Sequence, residues 1–250
     1  SDWNTAANWS EGVPVAGQAV VIDGNATLTN ATPALASLTV NSAKTLTFDG
    51  WDTLLTATTV TIAGTVTHAQ NTDTNSVDGW TPNARVKIAC ADLTIPVGGS
   101  IDLLGKGFQG GAFTNGYGPG RGMAKKDRGG GGGYGGPGSS AVANYYAYGG
   151  PAYGSADLPD MPGSGGGSTF SALNSTGGSG GGLVQIHASG NVTVNGTITA
   201  DGANGVNHCP GAGSGGGVYI QCATLDGAGT ISAKGGTSWV GGGGGRIALD

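Results

Sequence analysis

A strand-rich unit that ends in glycines occurs three times in the chain, and this recurrence limits the possible folds more than any other feature. Each copy has a strand, a polar step, a second strand, a glycine turn, a third strand and a glycine-rich run. The copies are "RVKIACADLTIPVGGSIDLLGKG", "LVQIHASGNVTVNGTITADGANG" and "VYIQCATLDGAGTISAKGG". Val184 and Val218 are 34 residues apart, and Arg246 follows after 28 more. Periods of about 20 to 50 residues indicate a solenoid or a propeller.

Three short strands per unit predict an all-β fold, a right-handed parallel β-helix with three faces. Each strand would pair with the equivalent strand of the next turn, with Val, Ile and Leu inside and Thr, Asn and Ser outside. A β-sandwich is the alternative, and it would normally show several hairpin turns such as the one possible at Asn195-Gly196. No helical apolar stripe is visible.

The amino-acid composition limits the classes of protein to which this chain can belong. Glycine accounts for 54 of 250 residues, and charged residues are only 10%. The hydrophobic fraction of 37% with so little charge argues for an ordered chain rather than a disordered one. A net charge of −5 argues against a nucleic-acid partner. Because no run approaches about 18 apolar residues, we expect no membrane span.

The pattern divides the chain into four parts. The first contains Trp3 and Trp9, which we expect to cover one end of the core, since solenoids need capping at their ends. The predicted parts are a cap with the first strand (1–24), β-helix turns (25–104), a Gly/Tyr-rich insert (105–182) and further turns that end in an unfinished one (183–250).

The insert has three interpretations: a flexible linker, a polyproline II-like bundle on the β-helix, or a lobe that contacts a partner. Six of the seven tyrosines lie in it, whereas a plain linker has few aromatic residues. Since tyrosine is amphipathic and common in interfaces, we expect the insert to be ordered. The rings either cover the β-helix or make lateral contacts with another subunit or a glycan. The candidates are Tyr134, Tyr145, Tyr146, Tyr148 and Tyr153.

The repeats also resemble a known class of proteins. "SGGGLVQIHA", "SGGGVYIQCA" and "GGGGGRIALD" are similar to the glycine-rich repeats of large secreted bacterial proteins with right-handed β-helices. The opening "NWSEGVPVAGQAVVI" resembles the start of bacterial surface and autotransporter-like passenger domains. The resemblance implies an extracellular or cell-surface location and a structural or adhesive role, although such folds also serve polysaccharide lyases.

The final strand suggests self-association. The residues Arg246, Ile247, Ala248, Leu249 and Asp250 begin a fourth copy of the unit. An uncovered strand edge is a template for pairing with another chain. We therefore expect end-to-end assembly of copies of this chain into a filament or surface fibre. Glycans are the second candidate partner.

Signals for chemistry are weak, so we expect no enzyme activity, no cofactor and no metal site. A polysaccharide-binding or polysaccharide lyase module is the alternative function, with a groove lined by Tyr145, Tyr146 and Tyr148 together with Arg121 or Lys125. Other basic candidates on the strands and nearby are Arg85, Lys87, Lys106, His68 and His187. The three cysteines allow either a Cys209–Cys222 disulfide with Cys90 left over or three buried thiols.

Overall fold

The computed structural model describes residues 1–77, 79–141, 146–171 and 174–250. Within these ranges the chain forms short strands that pair in parallel, and one 3-10 helix, Ala6–Asn8. The strands are Ala19–Ile22 (β1), Ala26–Leu28 (β2), Leu35–Val40 (β3), Thr45–Phe48 (β4), Leu55–Ile62 (β5), Thr65–His68 (β6), Val86–Ile95 (β7), Ser100–Asp102 (β8), Leu183–Ala188 (β9), Asn191–Val194 (β10), Thr197–Thr199 (β11), Gly217–Gln221 (β12), Thr224–Asp226 (β13), Thr230–Ser232 (β14) and Arg246–Leu249 (β15).

Strict alternation of threonine with apolar residues accounts for many of these strands. In β4 and β6 the threonines are half-exposed, while Leu46, Phe48, Val66 and the ring of His68 are buried. Successive side chains of a strand point to opposite faces, and β-branched residues favour that conformation. Alternation thus fixes which face of each strand enters the core.

The predicted three-faced β-helix is wrong, because the strands of the described residues lie in two parallel sheets. One sheet has nine strands, with the main order β1-β3-β5-β7-β9-β12-β15 and with β10 and β13 joined through β7. The other has six, in the order β14-β11-β8-β6-β4-β2. Parallel pairing throughout is typical of sheets in α/β proteins, but here the described connections contain no α-helix.

The length of β7 explains the difference. The sequence suggested a polar step near Cys90 that would turn the chain to a new face. Instead, β7 continues through this step and pairs with β9 over its first half and with β10 over its second. Two of the expected faces therefore belong to a single sheet.

In-register pairing builds continuous columns of apolar side chains through the core. Each residue in a column lies beside its equivalent in the neighbouring strand, and nearly all of them are fully buried. The first column consists of Leu55, Ile88, Ile186, Ile220 and Leu249, and the second of Val86, Val184, Val218 and Ile247.

The described part of the glycine-rich insert (105–141, 146–171 and 174–182) packs into the fold, because its backbone bonds to glycine runs elsewhere in the chain. Gly132 donates to Ala212 O (2.9 Å) and accepts from Gly243 N–H (2.8 Å). A Cβ atom at Gly132 would lie 2.9 Å from the carbonyl carbon of Ser164 and closer still to its oxygen. Glycine is required there because neighbouring backbones occupy the space of a side chain. We call this hydrogen-bonded set of runs, within 105–111, 116–123, 129–138, 147–151, 162–168, 177–182, 200–205, 210–217, 233–236 and 240–245, the glycine bundle. The fourfold division of the chain stays a prediction.

One end of the core is covered by the first residues of the chain. Trp3 is buried and packs edge-to-face on Trp9, with ring centroids 4.8 Å apart. The Trp9 Nε1–H group donates to Trp3 O at 2.7 Å. Asp2 pairs with Thr27, which covers the outer edge of β2. We call Trp3 and Trp9 the tryptophan cap.

Candidate association surface

At the end of the core opposite the tryptophan cap, both long columns finish in exposed side chains. Ile247 and Leu249 of β15 are 44% and 57% exposed, whereas their neighbours Val218 and Ile220 in β12 are fully buried. The last members of the columns thus have the same apolar character and register as the core but lack a neighbour on one side.

The strands β13 and β14 also end columns of the core, β13 with the exposed Leu225 and β14 with the half-buried Ile231. Leu225 continues the column of Leu93 and Val192, and Ile231 continues that of Ile101 and Ile198. Leu225 and Ile231 line a shallow cleft of about 270 Å³. We call the face formed by Leu225, Ile231, Ile247 and Leu249 the open end.

The backbone of β15 is also unpaired on its outer side within the described residues. The N–H groups of Arg246 and Asp250 donate to Gly216 O (3.0 Å) and Ile220 O (2.9 Å). Because the N–H direction alternates along a strand, those of Ile247 and Leu249 point away from β12. The strand therefore presents backbone donors and acceptors beside exposed apolar side chains.

The two charged residues of this predicted edge hold β15 in place. The Arg246 guanidinium donates to Tyr153 O through Nε (3.2 Å) and a terminal nitrogen (2.9 Å), and it lies 5.5 Å from the centre of the Tyr134 ring. The Asp250 carboxylate accepts from Tyr219 (3.2 Å) and Gln221 (3.0 Å). Of the five predicted edge residues, Ile247 and Leu249 present apolar surface, and Ala248 is half-buried between them.

The predicted lateral tyrosines fall into two groups. Tyr134 is fully buried against Tyr153, with ring centroids 4.8 Å apart. Burial raises the pKa of both phenols, and these rings pack the base of the glycine bundle rather than face a partner. Tyr146 and Tyr148 are exposed, while Tyr145 lies outside the described residues.

The three cysteines are free thiols, so Cys209 and Cys222 do not form a disulfide in this structure. Burial raises the pKa of the Cys90 thiol to about 11. Since the thiolate is the reactive form, Cys90 is a poor nucleophile at neutral pH.

Two of the basic residues considered for lyase chemistry, His68 and Arg85, have structural roles. The His68 ring is buried; its Nδ1 lies 2.7 Å from Ala69 O, and its Nε2 accepts from the Leu183 N–H at 3.1 Å. Burial lowers the pKa of His68 to about 4, so the ring is neutral at pH 7. Arg85 donates to Trp51 O and Gln185 Oε1 and lies 4.2 Å from the centre of the Trp51 ring.

The remaining basic candidates are dispersed. Arg121 lies 5.2 Å from the centre of the Trp80 ring, Lys87 belongs to β7, and His187 of β9 packs on Tyr219. Lys106 follows β8 and accepts a hydrogen bond from the side chain of Asn71 through its carbonyl. Across the described part of the chain, no group of three or more His, Cys, Asp or Glu residues is arranged to hold a metal ion.

Comparison with known proteins gives no assignment. Neither a scan of family models nor searches of curated proteins and solved structures found a match. Over the described ranges, no helix has the length and apolar character needed to cross a bilayer.

Proposed function

We propose that this chain is an extracellular structural or adhesive protein whose copies associate through the open end. The observation that carries the proposal is the exposure of Ile247 and Leu249 at the end of columns that are otherwise buried. The resemblance of the glycine-rich repeats to secreted bacterial surface proteins supports the location and the class of function.

The tryptophan cap determines which ends can meet. Trp3 and Trp9 cover the opposite end of the core, so head-to-tail stacking would have to displace them. Contact between two open ends needs no displacement, and it can pair β15 with β15 of a second copy about a twofold axis. Such an isologous contact closes after two copies, whereas a head-to-tail contact propagates into a filament. We accordingly propose an end-to-end dimer as the assembling unit.

The expected affinity is moderate. In a twofold contact the four open-end side chains of each copy become buried. Since they are already partly covered, each contributes on the order of 1 kcal/mol, below the roughly 1.5 to 3 kcal/mol of a fully exposed side chain. Loss of rigid-body freedom opposes association by at least about 4 kcal/mol. The remainder of about 4 kcal/mol, together with about 1 kcal/mol from each of the roughly four hydrogen bonds that the outward N–H groups of the two β15 strands can donate, corresponds to a dissociation constant on the order of micromolar.

Sedimentation velocity over a concentration series tests the proposal. The native protein should change from monomer to dimer in the micromolar range, and Leu249→Glu should weaken the dimer at least about 100-fold because it places a charge in the apolar contact. The matched control is Leu104→Glu, since Leu104 is also an exposed leucine and follows β8, which β11 separates from β14 in the sheet. A native protein that stays monomeric, or a Leu249→Glu variant that dimerises normally, would contradict the proposal.

A further inference from the structure

The loops that connect the runs of the glycine bundle converge on a second surface. We call it the tip surface, and it consists of residues 112–115, 124–128, 169–171, 174–176, 206–209 and 237–239. Its loops bond to one another. Phe170 N–H donates to Lys125 O (3.0 Å), and Thr176 and Val206 exchange two backbone hydrogen bonds (3.1 and 2.8 Å). The Asn207 side chain donates to Asn174 O at 2.9 Å.

Aromatic rings are exposed across this surface. Trp239 is 75% exposed, and Phe113 and Phe170 are exposed as well. The Arg128 guanidinium lies 5.0 Å from the centre of the Trp239 ring. Large apolar side chains in such a position stay in contact with water and gain no free energy of burial, so a group of them on adjoining loops indicates a binding surface.

The charge of the tip surface is opposite to that of the whole chain. Lys125, Lys126 and Arg128 surround a single acidic residue, Asp127, which gives a net charge of +2 over four residues. The chain as a whole carries −5. A local positive field on an acidic protein attracts an acidic ligand to this site in particular.

The loops are held in conformations that most side chains avoid. Positive φ angles occur at Phe113 (57°), Asn174 (63°), Asn207 (59°), His208 (38°) and Cys209 (57°). Such conformations are unfavourable for residues other than glycine and cluster at functional sites. The rigid glycine bundle below the loops keeps them in place, which is how binding loops are commonly positioned by a scaffold.

We propose that the tip surface binds an acidic polysaccharide. The rings of Trp239, Phe113 and Phe170 would stack on the flat apolar faces of sugar units, and Lys125 and Lys126 would pair with their carboxylates. The exposed side chains of Asn174, Asn207 and Thr237 on the same loops suit the hydroxyl groups of a glycan better than the hydrocarbon of a membrane. This inference goes beyond the proposed function, because the tip surface and the open end share no residue.

Titration calorimetry with polygalacturonate, a uronic acid polymer, tests this site. The native protein should bind it with an affinity that falls as salt rises, and it should not bind neutral dextran. We expect Lys126→Glu and Trp239→Ala each to weaken binding about tenfold. Both side chains are exposed, so the fold should persist. Lys234→Glu, at an exposed lysine outside the tip surface, is the matched control and should bind normally.

Three results would overturn the inference. The first is absence of binding, and the second is equal loss in Lys126→Glu and Lys234→Glu, which would indicate a nonspecific charge effect. The third is preference for a single-stranded oligonucleotide or for anionic lipid vesicles over the polysaccharide. The variant Leu249→Glu should bind polygalacturonate like the native protein, which separates this site from the open end.

Discussion

Replacing Gly132 by alanine tests whether close backbone contact holds the glycine bundle together. The added Cβ would lie 2.9 Å from the carbonyl carbon of Ser164 and 3.0 Å from that of Gly165. These neighbours are backbone atoms, which cannot rotate away as a side chain could. The run that contains Gly132 must therefore shift relative to its neighbours.

The size of the effect follows from the contacts that such a shift disturbs. Overpacking by one methyl group costs about 1 to 3 kcal/mol. The hydrogen bonds from Gly132 to Ala212 and from Gly243 to Gly132 also weaken, at about 1 kcal/mol each. Alanine also lowers the conformational entropy of the unfolded chain, which stabilises the fold by about 0.4 to 1 kcal/mol and offsets part of this loss. We expect the free energy of unfolding to fall by about 3 kcal/mol, which for a chain of this size lowers Tm by roughly 6 to 12 °C.

Gly244→Ala is the matched control within the same bundle. No atom lies within 4 Å of a Cβ built at Gly244, and its φ is not in the left-handed region. We expect this variant to be as stable as the native protein or slightly more stable, by up to about 1 kcal/mol. Both variants are compared by calorimetry and urea titration. Equal Tm values for the two variants would refute the argument that backbone contact makes glycine necessary at position 132.

Three further changes probe the core, the cap and the anchor of β15. Burial lowers the pKa of His68 to about 4 from 6.5, so below pH 6.5 the unfolded chain binds a proton more readily than the folded chain. The free energy of unfolding is therefore highest, with respect to this group, above pH 6.5, and it falls by about 3 kcal/mol as the pH is lowered to 4. Urea titrations at pH 7 and pH 4 should show that His68→Gln lacks this part of the pH dependence, and an unchanged dependence would argue against a neutral buried ring. Trp3→Ala should lower the unfolding free energy by about 3 to 5 kcal/mol, and a loss below about 1 kcal/mol would show that the cap does not protect the core. Arg246→Met should lower it by about 1.5 to 3 kcal/mol through loss of the hydrogen bonds to Tyr153, with an unaltered value counting against the anchor.

Local strand structure could be predicted from the sequence, whereas the arrangement of sheets could not. The alternating stretch NVTV in the second quoted unit coincides with β10 at Asn191–Val194. The alternation of apolar and polar residues indicates which side chains of a strand point inwards. It does not indicate where one sheet ends, because that depends on whether the backbone bends at a polar step. At Cys90 the backbone does not bend and β7 continues, so the predicted third face does not form.

The candidate surfaces were predictable to different degrees. The repeats identified β15 as an edge, and aligning them places Leu225 below Val192 and Leu93, a signal that could have added Leu225 to the open end. For the tip surface, the only signal in the sequence was Lys125, a candidate for the groove of the alternative function. Phe113 and Trp239 are far apart in sequence, and only the hydrogen bonding of the glycine bundle brings their loops to one end. Composition pointed only to the tyrosines, of which Tyr134 is fully buried and Tyr153 is half-buried against it.

Hydrogen exchange at the outer amides of β15 tests the association through the open end most directly. The N–H groups of Ile247 and Leu249 have no partner strand within the described fold and should exchange rapidly in dilute protein. Pairing with a second copy would protect them as the concentration rises through the micromolar range, while Leu249→Glu should leave the Ile247 amide unprotected. Exchange that stays fast in the native protein up to concentrations on the order of 100 μM, well above a micromolar dissociation constant, would contradict the account.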